Sequence, residues 1–266
     1  MDMKSRLRVV SANPSPKIIM YGPPGSGKTS LAGEFPNPIF LQTEDGIPED
    51  MEVSSFGILN TYEEVLEALK TLYINDLGFE TLVIDSLDKL EILLQEYICK
   101  REDWKNLDTP GYGKGYTTLG PEWKIFLEKL DKLRSKRNMT IVGICHSAVN
   151  QFDDPSTESY SQFDLNLHKK ARPFICAEFD AIFFMKQDVQ VKDDKSGKRS
   201  IAEGSNKMIF FEGRPSWIAK NRYNMPMKMK YVKGKGYEEI SKYLPKKQEK
   251  QEIEAPIEVI QLEGEE

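Results

Sequence analysis

A glycine-rich segment near the amino end has the spacing of a phosphate-binding loop. Residues 22–29 read GPPGSGKT and fit the pattern G-x-x-x-x-G-K-[ST] at every position. Its glycines permit backbone angles that other residues avoid, so successive amide N–H groups can surround phosphate oxygens. An apolar run at 17–21 precedes the loop and a helix is predicted to follow it, with its positive end toward the phosphates. The predicted nucleotide-binding residues are Gly22, Pro23, Pro24, Gly25, Ser26, Gly27, Lys28, Thr29 and Ser30.

Two side chains of this loop and one distant carboxylate form a predicted site for ATP and Mg²⁺. Lys28 supplies a cation for the β- and γ-phosphates, and the Thr29 hydroxyl is placed to bind the metal ion. Asp85 ends an apolar run at 81–85, where a carboxylate can hold the same ion directly or through water. The alternative is that Asp85 caps the following helix. With the loop upstream we favour the metal role; the choice between ATP and GTP stays open.

A third group of residues is predicted to act in catalysis together with Lys28. Glu44 follows the strand after the loop helix, in the sequence LQTEDG, and a carboxylate there can orient an attacking water. Asp45 is the other candidate for this role. Alternatively, Glu44 is an ordinary solvated carboxylate in a turn, without a catalytic role. His146 ends a later apolar run and is a candidate γ-phosphate sensor. A partly buried histidine without such a role fits that position equally well.

Apolar runs and helical patterns alternate over the first 146 residues. This order predicts βαβ units and an α/β fold with a mostly parallel sheet covered by helices on both faces. Ligands of such sheets bind at the carboxyl ends of the strands, where Gly22, Glu44, Asp85 and His146 all fall. The predicted strands are 17–21, 38–43, 81–85 and 140–146; the predicted helices are 62–72, with Thr61 as its N-cap, 87–100 and 122–137.

The second half of the chain has a different pattern. Residues 149–162 are polar and predict a mobile loop, and 168–178 predict a helix interrupted near Pro173. Short apolar runs joined by turn signals predict antiparallel strands toward the carboxyl end. These strands are 181–186, 189–192, 207–211 and 217–220, followed by one short helix at 237–244. We predict an extension at 1–16, a core at 17–244 and a disordered acidic tail at 245–266.

Composition limits the class of protein. The chain has 266 residues, of which 39% are hydrophobic and 30% charged, as in globular proteins. No apolar run approaches the ~20 residues that span a bilayer, and residues 1–16 lack the apolar region of a secretory signal. The three cysteines are far apart, which favours reduced thiols and a cytoplasmic location. We therefore expect no membrane partner.

These motifs together resemble the RecA-like core ATPases. The points of likeness are the loop at 22–29, the strand ending in Glu44, and the strand at 82–86 that ends in Asp-Ser. More narrowly, GYGKGY at 111–116, ICH at 144–146 and AKNR at 219–222 resemble phage-encoded nucleotide-binding proteins of single-strand annealing or recombination type. The resemblance covers about 17–226. It implies a RecA-like fold, ATP hydrolysis with Mg²⁺, single-stranded DNA and single-strand binding protein as partners, and a homo-oligomeric ring or filament in the host cytoplasm.

Two regions are candidates for contact with DNA. Tyr112 and Tyr116 can stack on bases while Lys114 between them meets phosphate, although tyrosines tucked onto the core are equally typical of such a loop. Lys228 and Lys230 belong to a basic stretch, 217–237, that can follow a phosphate backbone or simply protect a sheet edge. In the same stretch, Lys220 and Arg222 are candidate fingers that reach a neighbouring subunit's nucleotide.

Two other functions fit the same loop. One is a small-molecule kinase acting on nucleotides, although no arginine-rich lid lies between residues 85 and 146. The other is a non-catalytic adaptor in which the nucleotide only orders a surface for a partner. The sequence does not distinguish annealing from strand exchange, and it gives neither DNA specificity, oligomer size nor the role of the tail.

Overall fold

The computed structural model describes residues 15–193 and 200–246, without the side chains of 189–193 and 200–205. Most of the predicted extension, the turn at 194–199 and nearly all of the predicted tail lie outside these residues. The strands are β1 (Lys17–Gly22), β2 (Pro38–Gln42), β3 (Ser54–Ile58), β4 (Thr81–Asp85), β5 (Thr140–Phe152), β6 (Tyr160–Leu165), β7 (Ala181–Asp193), β8 (Ser200–Phe210), β9 (Lys220–Asn221) and β10 (Lys228–Tyr231). The helices are α1 (Lys28–Gly33), α2 (Tyr62–Ile74), α3 (Leu87–Arg101), α4 (Leu119–Arg137), α5 (Arg172–Glu178) and α6 (Gly236–Ser241), with a 3₁₀ helix at Gly115–Thr118.

One sheet organises the described part of the chain. Its strand order is β10-β8-β7-β1-β5-β4-β2-β3, with β6 paired to β5 and β9 paired to β7. The six neighbouring strands from β7 to β3 in this order run parallel to one another. Strands β8 and β9 each pair antiparallel with β7, and β10 pairs antiparallel with β8. The predicted α/β fold, mostly parallel with antiparallel strands toward the carboxyl end, is confirmed.

Helices cover both faces of the sheet because its central strands are apolar on both sides. Ile19 and Tyr21 of β1 pack into a core with α2, α3 and α4. Ile18 and Met20, which alternate with them, pack into a second core with α1 and α6. Burying both faces is what a parallel sheet requires, and it keeps the strand ends in fixed positions.

The first long helix begins as its sequence predicts. The Thr61 side chain accepts a hydrogen bond from the Glu64 backbone N–H, and the Glu64 side chain accepts one from the Thr61 N–H. This reciprocal pair is a capping box. Predicted helix starts and ends elsewhere differ by a few residues; α4 begins at Leu119, with Pro121 in its first turn.

Several predictions about the elements are wrong. The strands predicted at 181–186 and 189–192 form one strand, β7, and of the strand predicted at 217–220 only Lys220 belongs to a strand, β9. Residues 149–162 are not simply a loop, because β5 continues to Phe152 and pairs antiparallel with β6 in a ribbon beyond the main sheet. The edge strand β3 is absent from the predicted strands, since its mostly exposed residues carry little apolar signal. Pro173 does not interrupt a helix: it occupies the first turn of α5, where a proline costs no hydrogen bond.

Among the helices of the described ranges, none has the length and apolar character needed to span a membrane.

Candidate active site

The phosphate-binding loop joins the end of β1 to the start of α1. Gly25 and Gly27 have φ angles of +75° and +98°, which favour glycine. A Cβ atom on Gly27 would also lie 2.7 Å from the ring of Tyr231, so this position has no room for a side chain. The Ser26 hydroxyl is buried and has no hydrogen-bond partner in the described part of the chain. The backbone of the loop is thus tightly constrained, and the buried Ser26 hydroxyl is able to bond to a ligand. Both features suit a phosphate-binding loop.

Lys28 lies inside the curve of this loop. Its ammonium donates hydrogen bonds to the carbonyl oxygens of Gly22, at 2.9 Å, and Pro23, at 3.1 Å. The side chain is buried, and burial lowers the pKa of Lys28 while the charge of Asp85 opposes that effect. The hydrogen bonds of this buried cation go to neutral carbonyls, and an anionic phosphate would be a stronger partner for it.

Thr29 and Asp85 come together from separate elements. The Thr29 hydroxyl donates to Asp85 Oδ2 at 3.0 Å. Burial raises the pKa of Asp85 to about 6; the Thr29 hydrogen bond opposes this shift, and the nearby charge of Glu44 adds to it. A hydroxyl beside a buried carboxylate is an all-oxygen donor pair of the kind that Mg²⁺ prefers. These residues therefore fit the metal ion that the sequence predicts.

Glu44 and His146 lie on the same edge of the sheet. In the β1–β5 pairing His146 is opposite Gly22, so the buried half of β5 reaches the level of the start of the phosphate loop. Glu44 Oε1 is 3.9 Å from His146 Nδ1, and the Glu44 side chain is half-buried, whereas Asp45 is exposed. The structure brings Glu44, Asp85 and His146 together around the loop and leaves Asp45 facing solvent. The catalytic roles of Glu44 and His146 stay predictions.

Asp88 is a member of this cluster that the sequence analysis missed. It lies in the first turn of α3, and its carboxylate accepts a hydrogen bond from the His146 backbone N–H at 3.0 Å. Its other oxygen is 2.9 Å from His146 Nδ1. No local pattern marks Asp88, because the residue it contacts is 58 positions away. The available signal was its position three residues after Asp85, in the first turn of the predicted helix.

The predicted DNA-contacting residues lie in two separate places. Tyr112 is fully exposed and Lys114 is exposed beside it. Tyr116 differs, since its ring stacks on His168 with centroids 4.6 Å apart and its hydroxyl is 3.4 Å from Asp108. The remaining two, Lys228 and Lys230, are exposed on β10 at the far edge of the sheet. Contact with DNA is a prediction for all five.

Lys220 and Arg222 have partners within their own chain. The Lys220 ammonium donates to three carbonyl oxygens at the end of α5, those of Cys176, Ala177 and Phe179, at 2.6–3.1 Å. Arg222 pairs with Asp180 at 3.0 Å. These contacts give Lys220 a helix-capping role, while its action on a neighbouring nucleotide stays a prediction.

Fold and loop together define a P-loop nucleotide-binding protein of the ATPase class. The sequence matches the AAA domain family AAA_24 over residues 15–223, which is most of the chain, and the protein belongs to that family. The match covers nearly the whole region that carries the motifs described above.

Comparison with other proteins gives two further findings. A solved structure described as the RadB recombinase aligns with 82% of this chain and 87% of its own, at 15% identity and a TM-score of 0.46. No curated protein matches the sequence.

Proposed function

We propose that this protein is a Mg²⁺-dependent, RecA-like ATPase that acts on single-stranded DNA in phage recombination, annealing or replication. We further propose that it works in the host cytoplasm as a homo-oligomer, with a single-strand binding protein as a second partner. The observation that carries the ATPase proposal is the contact between Thr29 and Asp85, beside the buried Lys28 and level with Glu44.

Each residue has a separate part in the proposed reaction. When bound, Mg²⁺-ATP supplies the transferable phosphoryl group and a metal ion that neutralises its charge. Lys28 exchanges its carbonyl partners for phosphate oxygens and stabilises the charge that develops on them. Glu44 orients a water molecule and takes up its proton. Thr29 and Asp85 would hold the metal ion, and His146 stands where a change at the terminal phosphate can be sensed.

A surface near the 3₁₀ helix supports single-stranded DNA as the partner. Tyr112 offers an uncovered ring and Lys114 a neighbouring charge. The stack of Tyr116 on His168 brings this loop to the segment that carries Lys169 and Lys170, both exposed. Aromatic rings and lysines interleaved in this way suit unpaired bases and their phosphates. The sequence analysis missed these two lysines, which follow a histidine 52 positions after Tyr116.

The test is ATP turnover with and without single-stranded DNA over a series of salt concentrations. We expect DNA to stimulate turnover, less so as salt rises, since binding releases counterions. The double variant Tyr112→Ala/Lys114→Ala should lose most of the stimulation. A matched control, Tyr243→Ala/Lys242→Ala at the end of α6, removes the same residue types and should keep it.

Other outcomes would identify a different function. Stimulation by a nucleoside monophosphate instead of DNA would contradict the proposal and favour a kinase. ATP binding with negligible turnover, even with DNA present, would favour a nucleotide-dependent adaptor.

A further inference from the structure

Asp88 contacts the same histidine at two atoms. Oδ1 accepts from the His146 backbone N–H at 3.0 Å, and Oδ2 lies 2.9 Å from the ring atom Nδ1. The Asp88 side chain is 9% exposed and that of His146 is 33% exposed. One buried carboxylate thereby holds both the backbone of β5 at His146 and the imidazole of that residue.

The contact also determines where the ring carries its proton. A carboxylate is an acceptor only, so Nδ1 must be the protonated nitrogen when it bonds to Asp88. This leaves Nε2 as the nitrogen that Asp88 does not engage. A ring held by one nitrogen presents the other in a defined direction, as in other carboxylate–histidine pairs.

Four charged groups face His146 from different elements: Asp88 on α3, Glu44 after β2, Lys28 on α1 and Asp85 at the end of β4. The hydrogen bond to Asp88 raises the pKa of His146, and burial opposes the shift. Glu44 contributes in the same direction as Asp88, and Lys28 contributes against it. Asp88 therefore affects the pKa of His146 more than Lys28 or Glu44 does.

We propose that Asp88 is a positioning residue, which sets the tautomer and orientation of His146 toward the nucleotide. This inference rests on the proposed ATPase function, in which His146 faces the terminal phosphate. In this role Asp88 acts through the histidine and not directly on the nucleotide. The carboxylate thus links the start of α3 to the middle of β5, at the edge where the phosphate loop lies.

A purely structural role for Asp88 is the alternative, because an acidic residue in the first turn of a helix also stabilises that helix. Glu91 provides a matched control for this effect. It is buried on the same helix one turn later, and its carboxylate accepts from Trp123 Nε1 at 3.1 Å and from the His168 N–H at 2.7 Å. Replacing Glu91 by Gln removes a buried carboxylate of α3 without touching the pair that Asp88 forms.

The first measurement is nitrogen NMR of the histidine side chains in the full chain, without nucleotide. The sequence has two histidines, so His168→Gln assigns both sets of signals. In the wild type we expect the His146 proton on Nδ1. In Asp88→Asn the amide can donate to Nδ1, so the proton should move to Nε2 and the pKa of His146 should fall. Asp88→Glu should restore the Nδ1 proton in part, and Glu91→Gln should leave His146 unchanged.

The second measurement is ATP turnover and ATP affinity of the same variants. We expect Asp88→Asn to lower kcat by about tenfold or more, while the Kd for ATP changes by less than about threefold. The reason is that the orientation of His146 affects the reaction more than it affects ATP binding. Glu91→Gln should keep both values.

The two measurements separate the failure of this inference from that of the proposed function. If Asp88→Asn leaves the imidazole signals unchanged, or if Glu91→Gln alters them equally, the positioning role is wrong. If Asp88→Asn shifts the signals but kcat stays at the wild-type value, Asp88 orients a histidine that does not serve turnover, which also overturns the inference. If the signals shift as expected and the wild type hydrolyses no ATP, the ATPase proposal fails while the Asp88–His146 pairing stands.

Discussion

The side chains around the phosphate loop are held by different kinds of contact. Lys28 bonds to carbonyls of its own loop, Thr29 bonds to Asp85, and His146 bonds to Asp88. Glu44 is the exception, since it is half-buried and its contact with the ring of His146 is a long one, at 3.9 Å. A carboxylate with free acceptor capacity beside a buried cation is suited to take a proton from water.

Glu44→Gln is the substitution that tests this role. The amide has the same shape but cannot accept a proton, so kcat should fall by about 10²–10⁴-fold. ATP affinity should stay within about threefold of the wild type, because Lys28 and the loop amides are unchanged. Steady-state turnover and equilibrium binding measure the two quantities. Asp45→Asn, at the exposed neighbouring position, should keep normal turnover.

A Glu44→Gln protein that hydrolyses ATP at the wild-type rate would show that another group activates the water.

At the scale of the elements, β5 combines two environments in one strand. Its first half, through Cys145, is buried between β1 and β4. Its second half leaves the sheet and pairs with β6 as a more exposed ribbon. His146 stands at the transition between them. The rigid half therefore fixes the histidine, and the ribbon extends from the same point toward solvent.

Helix α2 shows how far a local signal determines an element. Its N-terminal capping box is exposed, so the box acts through hydrogen bonds and not through core packing. Thr61→Ala should lower the free energy of unfolding by about 1 kcal/mol, as loss of an N-cap does. Chemical denaturation followed by circular dichroism measures the change. Thr61→Ser keeps the hydroxyl and should retain most of the stability; equal loss in both variants would contradict the cap as the cause.

The elements that the sequence predicts correctly are those whose pattern is local. The runs at 17–21 and 81–85 have apolar residues at their centres and are buried at every position, as strands covered on both faces must be. The ribbon of β5 and β6 escaped prediction because its polar residues pair with each other instead of packing in a core. The edge strand β3 was not predicted because its residues are mostly exposed. It forms through its hydrogen bonds to the neighbouring strand β2, which its own sequence does not indicate.

The candidate site divides in the same way. The phosphate loop and Asp85 are recognisable because the residues that define them are contiguous or end one strand. Asp88 and the lysines at 169 and 170 become candidates for the site only through contacts between residues more than 50 positions apart. Contacts of that range depend on the strand order, which a single sequence does not specify.

For the whole molecule, the strand order decides which residues meet. β5 lies between β1 and β4, so the loop, His146 and Asp85 line up on three consecutive strands of one edge. β2 follows β4 and brings Glu44 to the same edge. The antiparallel strands add a further constraint, because Tyr231 at the end of β10 packs against Gly27 and its hydroxyl donates to Glu34 after α1. The sheet thus supports the phosphate loop from both sides.

The central claim is that this edge binds a nucleotide through the loop amides, Lys28 and a Mg²⁺ ion. Isothermal titration of the full chain with ATP, in the presence of Mg²⁺, tests it most directly. We predict binding of one nucleotide per chain, weakened by about tenfold or more in Lys28→Ala, since a hydrogen bond to a charged group contributes about 1.5–3 kcal/mol. Absence of binding of ATP or GTP to wild-type protein that circular dichroism shows to be folded would contradict the account.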